Sequence, residues 1–374
     1  MRLETQFVKL PLLFDVERLR EEIAQFSEDE WMGHTTGFAG NTAIPLISLD
    51  GEFNDAMHGP MKPTPALGRC PYIQQIMTTF GEVFGRSRLM RVAPGHTVPP
   101  HVDVNYHWFN RVRIHIPITT TPDVLFHCGG KHVHMAPGEA WLFNSWMEHT
   151  VENNSDAMRV HLVLDASGSP RFWDLVEQGE WPFADRPDPP AEPQFVRFDP
   201  ALPTQVRTER YNTPVVHSPG ELEHLIRALA DDVVCSNESE TAGRQAFIDA
   251  ARRFIQAWRE VWSEHGMQAS GWPHYHRLTY EVDAAVVAIP AELALKSGVD
   301  LVHAFRGLVL SSAINEEIAP LYLESEDVPD KLQRTTRSYA PAPAKSSDKT
   351  SSDKTSSDKT GSDKTPRNAP CPCG

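Results

Sequence analysis

Cysteine is scarce in this chain, with five in 374 residues. Cys70, Cys128 and Cys235 stand singly and far apart. That spacing fits reduced thiols and excludes a disulfide framework. Long apolar runs are missing too: none approaches the roughly 20 residues a membrane-spanning helix needs. The opening stretch MRLETQFVKLPLLFD carries Glu4 and Lys9 where a secretory signal would be continuously apolar. Together these absences predict a cytoplasmic protein with no membrane partner. Basic residues are also in deficit, 35 against 50 acidic ones, for a formal net charge of -15. A general nucleic-acid binder is thereby disfavoured, although a local basic pocket is not.

What is present falls into distinct stretches. Up to about residue 170, short apolar runs alternate with Gly, Pro and Asn punctuation. SRLMRVA, RVRIHIPI, DVLFHC, KHVHMA, EAWLFN and MRVHLVLD read as strands, and their spacing predicts an antiparallel sandwich or barrel. DVERLREEIAQF before them reads as a helix. The Pro-rich stretch EWPFADRPDPPAEPQFVRFDPALP reads as a connector, because proline breaks helices and central strands. From Ser218 the period becomes helical. Ser218, Pro219 and Glu221 form a predicted capping box, and Leu222, Leu225, Ile226 and Leu229 share one face. RQAFIDAARRFIQAWREVW and DLVHAFRGLVL continue the helical pattern. SSDKT then occurs three times in succession (346–360), a polar repeat that cannot bury a core and is expected to be disordered.

Nine of the 17 histidines lie between His96 and His161. His101-Val102-Asp103 reads as the start of a strand. In an extended chain, residues i and i+2 face the same way, so one metal ion could take a nitrogen and an oxygen from this step. His149, after the strand EAWLFN, could supply a third ligand. Two imidazoles and one carboxylate leave open positions, which suits Fe(II) binding an organic acid and dioxygen together. Two strands add a second pattern. Arg111, Arg113 and His115 share a face opposite Val112, Ile114 and Ile116, and Arg159 and His161 share a face opposite Met158, Val160 and Leu162. Such faces are either solvated edges or the lining of a barrel. In a barrel, an arginine without a carboxylate partner awaits an anionic ligand.

The run PGHTVPPHVD, NRVRIHIPI and GGKHVHMAPGEAWLFNSWMEHTVENNSDAMRVHLVLD resembles the aspartyl/asparaginyl/prolyl β-hydroxylase family over roughly residues 86–166. The motifs recur in order, with an arginine ten residues beyond His149. The retained His-x-Asp pair leans toward the bacterial cis-proline hydroxylase branch. The resemblance implies a mainly β double-stranded β-helix (jelly-roll, cupin-like) catalytic domain, followed by a small α-helical domain and a disordered tail. It implies an enzyme, a 2-oxoglutarate-dependent dioxygenase that hydroxylates an amino acid and releases succinate and CO2. The substrate would be a free, proline-like amino acid, or an aspartyl, asparaginyl or other residue in a small peptide or on a carrier. Carried over by position, His101, Asp103 and His149 become Fe(II) ligands and Arg159 holds the distal carboxylate of 2-oxoglutarate. Arg113 and His115 become co-substrate contacts, with O2 as the second co-substrate. The loop VNYHWFN is longer than in the animal enzymes and is placed at the substrate entrance.

The resulting division is 1–170 for the oxygenase domain, 171–215 for the connector and 216–330 for the helical domain. The SSDKT linker follows at 331–365, and 366–374 is a partial motif. That last stretch, PRNAPCPCG, resembles the opening of the zinc-binding SEC-C motif. Cys371 and Cys373 supply two thiolates where a structural zinc wants four ligands, so zinc is not expected there. His132 and His134 are expected on an outer face, and Trp108, Trp141 and Trp146 in the core or pocket wall. Two rival readings share the ligand set: a non-catalytic cupin-like module that binds a metal or an organic acid, and a zinc hydrolase. The second lacks a general base, since Glu148 points opposite to His149.

Overall fold

The computed structural model describes residues 3–33, 37–202 and 204–323. Its centre is a roll of eight strands: β1 (Val83–Val92), β2 (Thr97–His101), β3 (Val112–Thr119), β4 (Val124–Cys128), β5 (Lys131–Val133), β6 (Glu139–Phe143), β7 (His149–Asn153) and β8 (Arg159–Ala166). The larger sheet runs β1-β8-β3-β6 and the smaller one β2-β7-β4-β5, with every pairing antiparallel. Successive strands switch sheets except at β4–β5. There Gly129 and Gly130, both at positive φ, close a two-residue hairpin whose twist matches the strands. This alternation is the double-stranded β-helix.

Period-two patterning decides which side is which. Leu89, Ile114, Ile116, Ile118, Leu162 and Leu164 face outward and are buried under the helices Val16–Ile23, Pro71–Phe80 and Pro170–Glu177. Each such side chain contributes about 1.5–3 kcal/mol. The intervening residues Arg86, Arg113, His115, Arg159, His161 and Asp165 are buried as well, inside the roll. The Arg/His faces therefore line the interior. A one-residue slip of either strand would exchange the two sets, so the register is strongly specified.

Further strands widen the large sheet. Phe7–Phe14 pairs with β6, and Asn41–Leu49 pairs with β1. Pro45 sits in the latter, where the register shifts. The Pro-rich connector is more than a link. The helix Pro170–Glu177 runs into it, and within it Gln194–Val196 and Arg207–Thr208 add as parallel edge strands. Edges tolerate such sequences because one row of backbone groups needs no partner.

The helices Pro219–Asp232, Glu238–His265 and Trp272–Val287 pack around Leu222, Leu225, Leu229, Phe247, Trp258 and Tyr275. Ser218 caps the first by accepting from the Glu221 amide at 3.2 Å. The Glu221 carboxylate does not reach back as a capping box would; it accepts from the Tyr106 hydroxyl at 3.2 Å. Val104 and Trp146 of the roll belong to this same apolar cluster. The helix Leu301–Phe305 runs into a π-turn, Arg306–Leu310, whose Gly307 lies against the Val104 carbonyl. Among the described residues no helix is long and apolar enough to cross a membrane. The SSDKT repeats and the Cys371/Cys373 end lie outside the described residues.

Two consequences can be measured. A Cβ at Gly307 would overlap the Val104 oxygen, whereas one at Gly220 would meet nothing within 4 Å. Gly307→Ala should cost about 1–3 kcal/mol, and Gly220→Ala at most a few tenths, by chemical denaturation. Burial also lowers the pKa of His149 and His217 from 6.5 to about 4. The unfolded chain then binds more protons between those values, so stability should fall as pH drops from 6.5 toward 4. His217, unpartnered on both ring nitrogens, should give a shallower slope as His217→Gln.

Candidate metal centre

β2 ends on His101, and two residues further the Asp103 amide donates to the Ser145 carbonyl at 2.9 Å. His101 thus closes a strand rather than opening one. The strand includes Pro99 and Pro100, tolerated because β2 is the edge of the small sheet and pairs only with β7. Across that pair His101 faces His149. Their ring centroids are 4.1 Å apart, and His149 Nε2 is 3.8 Å from Asp103 Oδ2. One ligand atom from each of the three residues lies within 4.8 Å of the others.

The tautomers follow from backbone contacts. His101 Nδ1 is 2.7 Å from the Pro99 carbonyl, and His149 Nδ1 is 2.9 Å from the Met147 carbonyl. A carbonyl only accepts, so each Nδ1 carries the proton and each Nε2 lone pair is free. Asp103 is fully buried, and neither carboxylate oxygen has a hydrogen-bond partner. A buried carboxylate that makes no hydrogen bond, its ion pair with Arg113 stretched to 3.8 Å, is poorly satisfied beside two imidazole lone pairs without a cation. This donor set fits a two-histidine, one-carboxylate iron site.

From this triad a line of rings leads inward. His149 lies 4.7 Å from Phe143, Phe143 is 5.4 Å from His115, and His115 is 5.7 Å from His161. Arg159 Nη2 donates to His161 Nδ1 at 2.7 Å. Arg159 is buried, its Nε has no partner, and among the described residues no carboxylate forms an ion pair with it. Burial lowers its pKa to about 9, which leaves it charged at neutral pH. Neither nitrogen of His115 has a partner, nor does His161 Nε2. A guanidinium and two imidazoles thus offer unfilled polar positions beside an aromatic wall of Phe126 and Phe143.

The other end of the chamber holds residues that the sequence reading did not single out. Asp165 receives Arg113 Nε at 3.2 Å, lies 3.3 Å from His107 Nε2 and stands 3.9 Å from Arg86 Nε. Burial would raise its pKa, but Arg113, His107 and Arg86 hold it well below the carboxylate range. Arg86 and Arg88 share Asp55. Arg113 lies 3.8 Å over the Trp108 ring, and its Nη1 is 3.8 Å from Asp103. Arg111 turns away from the chamber to Glu209 at 2.7 Å. The signal available for Arg86, Arg88 and Asp165 was the same two-residue period that marked Arg113 and Arg159. His132 is exposed and His134 half-buried, both outside the triad, and Glu148 is exposed.

Residues 50–168 match the family model described as aspartyl/asparaginyl beta-hydroxylase. A curated relative, L-proline cis-3-hydroxylase 1 of a Streptomyces species, is 26% identical over 166 residues, covering 40% of this chain and 56% of its own. The chain therefore spans about half the length of that relative. A 2OG-Fe(II) oxygenase family oxidoreductase from Burkholderia pseudomallei superposes at a TM-score of 0.32 with 13% identity, over 41% of this chain and 77% of that one. A Pseudomonas putida prolyl-4-hydroxylase gives a TM-score of 0.31 with 13% identity, over 44% and 93%. The segment that folds into the roll and carries His101, Asp103 and His149 is thus the one that resembles the aspartyl/asparaginyl β-hydroxylase family.

Proposed function

We propose that this chain is a 2-oxoglutarate- and Fe(II)-dependent hydroxylase of an amino acid, either free and proline-like or an aspartyl, asparaginyl or other residue in a small peptide or on a carrier. The observation that carries the reading is a pair of incompletely satisfied buried charges: Asp103, 3.8 Å from Arg113 and without a hydrogen bond, and Arg159, without a carboxylate among the described residues. A divalent cation answers the first, and the distal carboxylate of a diacid answers the second. The similarity to L-proline cis-3-hydroxylase favours a hydroxylation.

In this reading His101, Asp103 and His149 hold the iron on one face. Arg159 grips the distal carboxylate of 2-oxoglutarate, and His161 orients that guanidinium. His115 contacts the co-substrate from the middle of the chamber, while Arg113 serves it by steadying Asp103. Ferrous iron there would couple O2 reduction and decarboxylation of 2-oxoglutarate, giving succinate and CO2, to insertion of one oxygen atom into a C–H bond. The protein supplies position and dryness; Phe126 and Phe143, packed against His115 and His149, keep water from the chamber wall.

The test is succinate release with Fe(II), ascorbate and 2-oxoglutarate across an amino-acid panel, with mass spectrometry for a gain of one oxygen. His101→Ala should abolish turnover. Arg159→Ala should raise the KM for 2-oxoglutarate by about 30–100-fold, the worth of a charge-assisted pair. Added Fe(II) under anaerobic conditions should raise the Tm of the wild type, and Asp103→Ala should lose that increment. Metal and 2-oxoglutarate binding without succinate from any substrate would make the roll a binding module instead.

A further inference from the structure

We infer that the helical part of the chain sets the affinity of the triad for its metal, and that Tyr106 and Glu221 are the positioning residues through which it acts on Asp103. The inference rests on the proposed oxygenase reading, since it concerns the same metal, and it gives the helices a task within it.

The three ligands are not held alike. His101 and His149 face each other across β2 and β7, and each ring is fixed by a hydrogen bond to a carbonyl two residues back along the chain. These contacts are all made within the roll. Asp103 lies past the end of β2, outside its register with β7. Neither of its oxygens makes a hydrogen bond, and Arg113 stands 3.8 Å off. The carboxylate is therefore placed by its backbone rather than by side-chain bonds. That backbone is gripped from the helical side. Val102 and Val104, the two neighbours of Asp103, pack into the helical cluster, as do Tyr106 and Phe109. The Ser145 carbonyl, which accepts from the Asp103 amide, directly precedes Trp146 of the same cluster.

Within this grip one contact has a direction. Tyr106 begins the short helix Tyr106–Asn110, just beyond Asp103. Its ring meets the His217 ring edge-on at 4.5 Å, and its hydroxyl donates to Glu221 Oε1 at 3.2 Å. Burial raises the pKa of Tyr106, so the hydroxyl keeps its proton and Glu221 is the acceptor. Glu221 stands in the first turn of the helix Pro219–Asp232, whose start is fixed by the Ser218 cap. Apolar packing is non-directional and lets a segment slide, whereas a hydrogen bond holds both a distance and an angle. A metal–oxygen bond tolerates a displacement of only about 0.2 Å, so the directional contact decides whether Asp103 reaches the metal. A bond that merely glued the helices to the roll would lower stability when lost and leave metal affinity alone.

The experiment titrates the full chain with Fe(II) under anaerobic conditions at saturating 2-oxoglutarate, the weak visible charge-transfer band reporting metal seated in the triad. Tyr106→Phe deletes the hydroxyl and keeps the ring against His217. It should raise the Fe(II) dissociation constant about tenfold, the lower end of what losing an orienting contact behind a metal ligand costs. Its affinity for 2-oxoglutarate at saturating iron should stay within about twofold of the wild type, because Arg159 is carried by β8. Glu221→Ala, at a half-buried position that does not threaten the fold, should match Tyr106→Phe. Glu221→Gln keeps an oxygen acceptor and should restore iron binding to within about threefold of the wild type. Unchanged Fe(II) affinity in Tyr106→Phe and Glu221→Ala overturns the inference and leaves the oxygenase reading standing. A joint fall in Fe(II) affinity, 2-oxoglutarate affinity and Tm also overturns it, since that is the pattern of general loosening. A wild-type chain that gives no band with iron and 2-oxoglutarate brings down the oxygenase reading itself, and this inference with it.

Discussion

Burying positive charge inside a closed β-roll is costly unless each guanidinium meets an anion. The interior follows that constraint closely. Arg111 is met by Glu209, Arg113 by Asp165, and Arg86 and Arg88 by Asp55. Among the described residues Arg159 pairs with no carboxylate, and Asp103, 3.8 Å from Arg113, makes no hydrogen bond. Stability is given up at these two points, where a buried ion is incompletely satisfied. A cation beside Asp103 and an anionic group beside Arg159 would restore the balance.

The helical part belongs to this arrangement. The segment bearing Asp103 is held on the roll side by the Ser145 carbonyl and on the other by Gly307 against Val104. Tyr106 continues the contact through Glu221 and the His217 ring. A carboxylate ligand carried on a loop beyond a strand end needs such support to keep its place. The connector contributes too, since it folds back along the sheet edge and brings Glu209 under Arg111.

Much of the site was legible from local patterns. The two-residue period of RVRIHIPI and MRVHLVL sorted the side chains into two faces, and His-x-Asp with a later histidine marked the triad. What stayed hidden was long-range. The partners of Arg113 and Arg111 lie 52 and 98 residues away, and only strand pairing brings them near. Pro99-Pro100 concealed an edge strand. Glu221 matched a capping box, but the neighbouring Tyr106 hydroxyl competes for its carboxylate and wins.

By itself, then, the sequence determined which residues travel together: alternation along a strand is a property of the extended backbone and needs no tertiary contact. Which of the two faces turns inward was decided only by closure of the roll, because the helices that bury Ile114 and Leu162 are recruited from distant parts of the chain. Closure also decided which charges are neutralised within the protein and which are not, since that depends on distances between strands that no local pattern encodes.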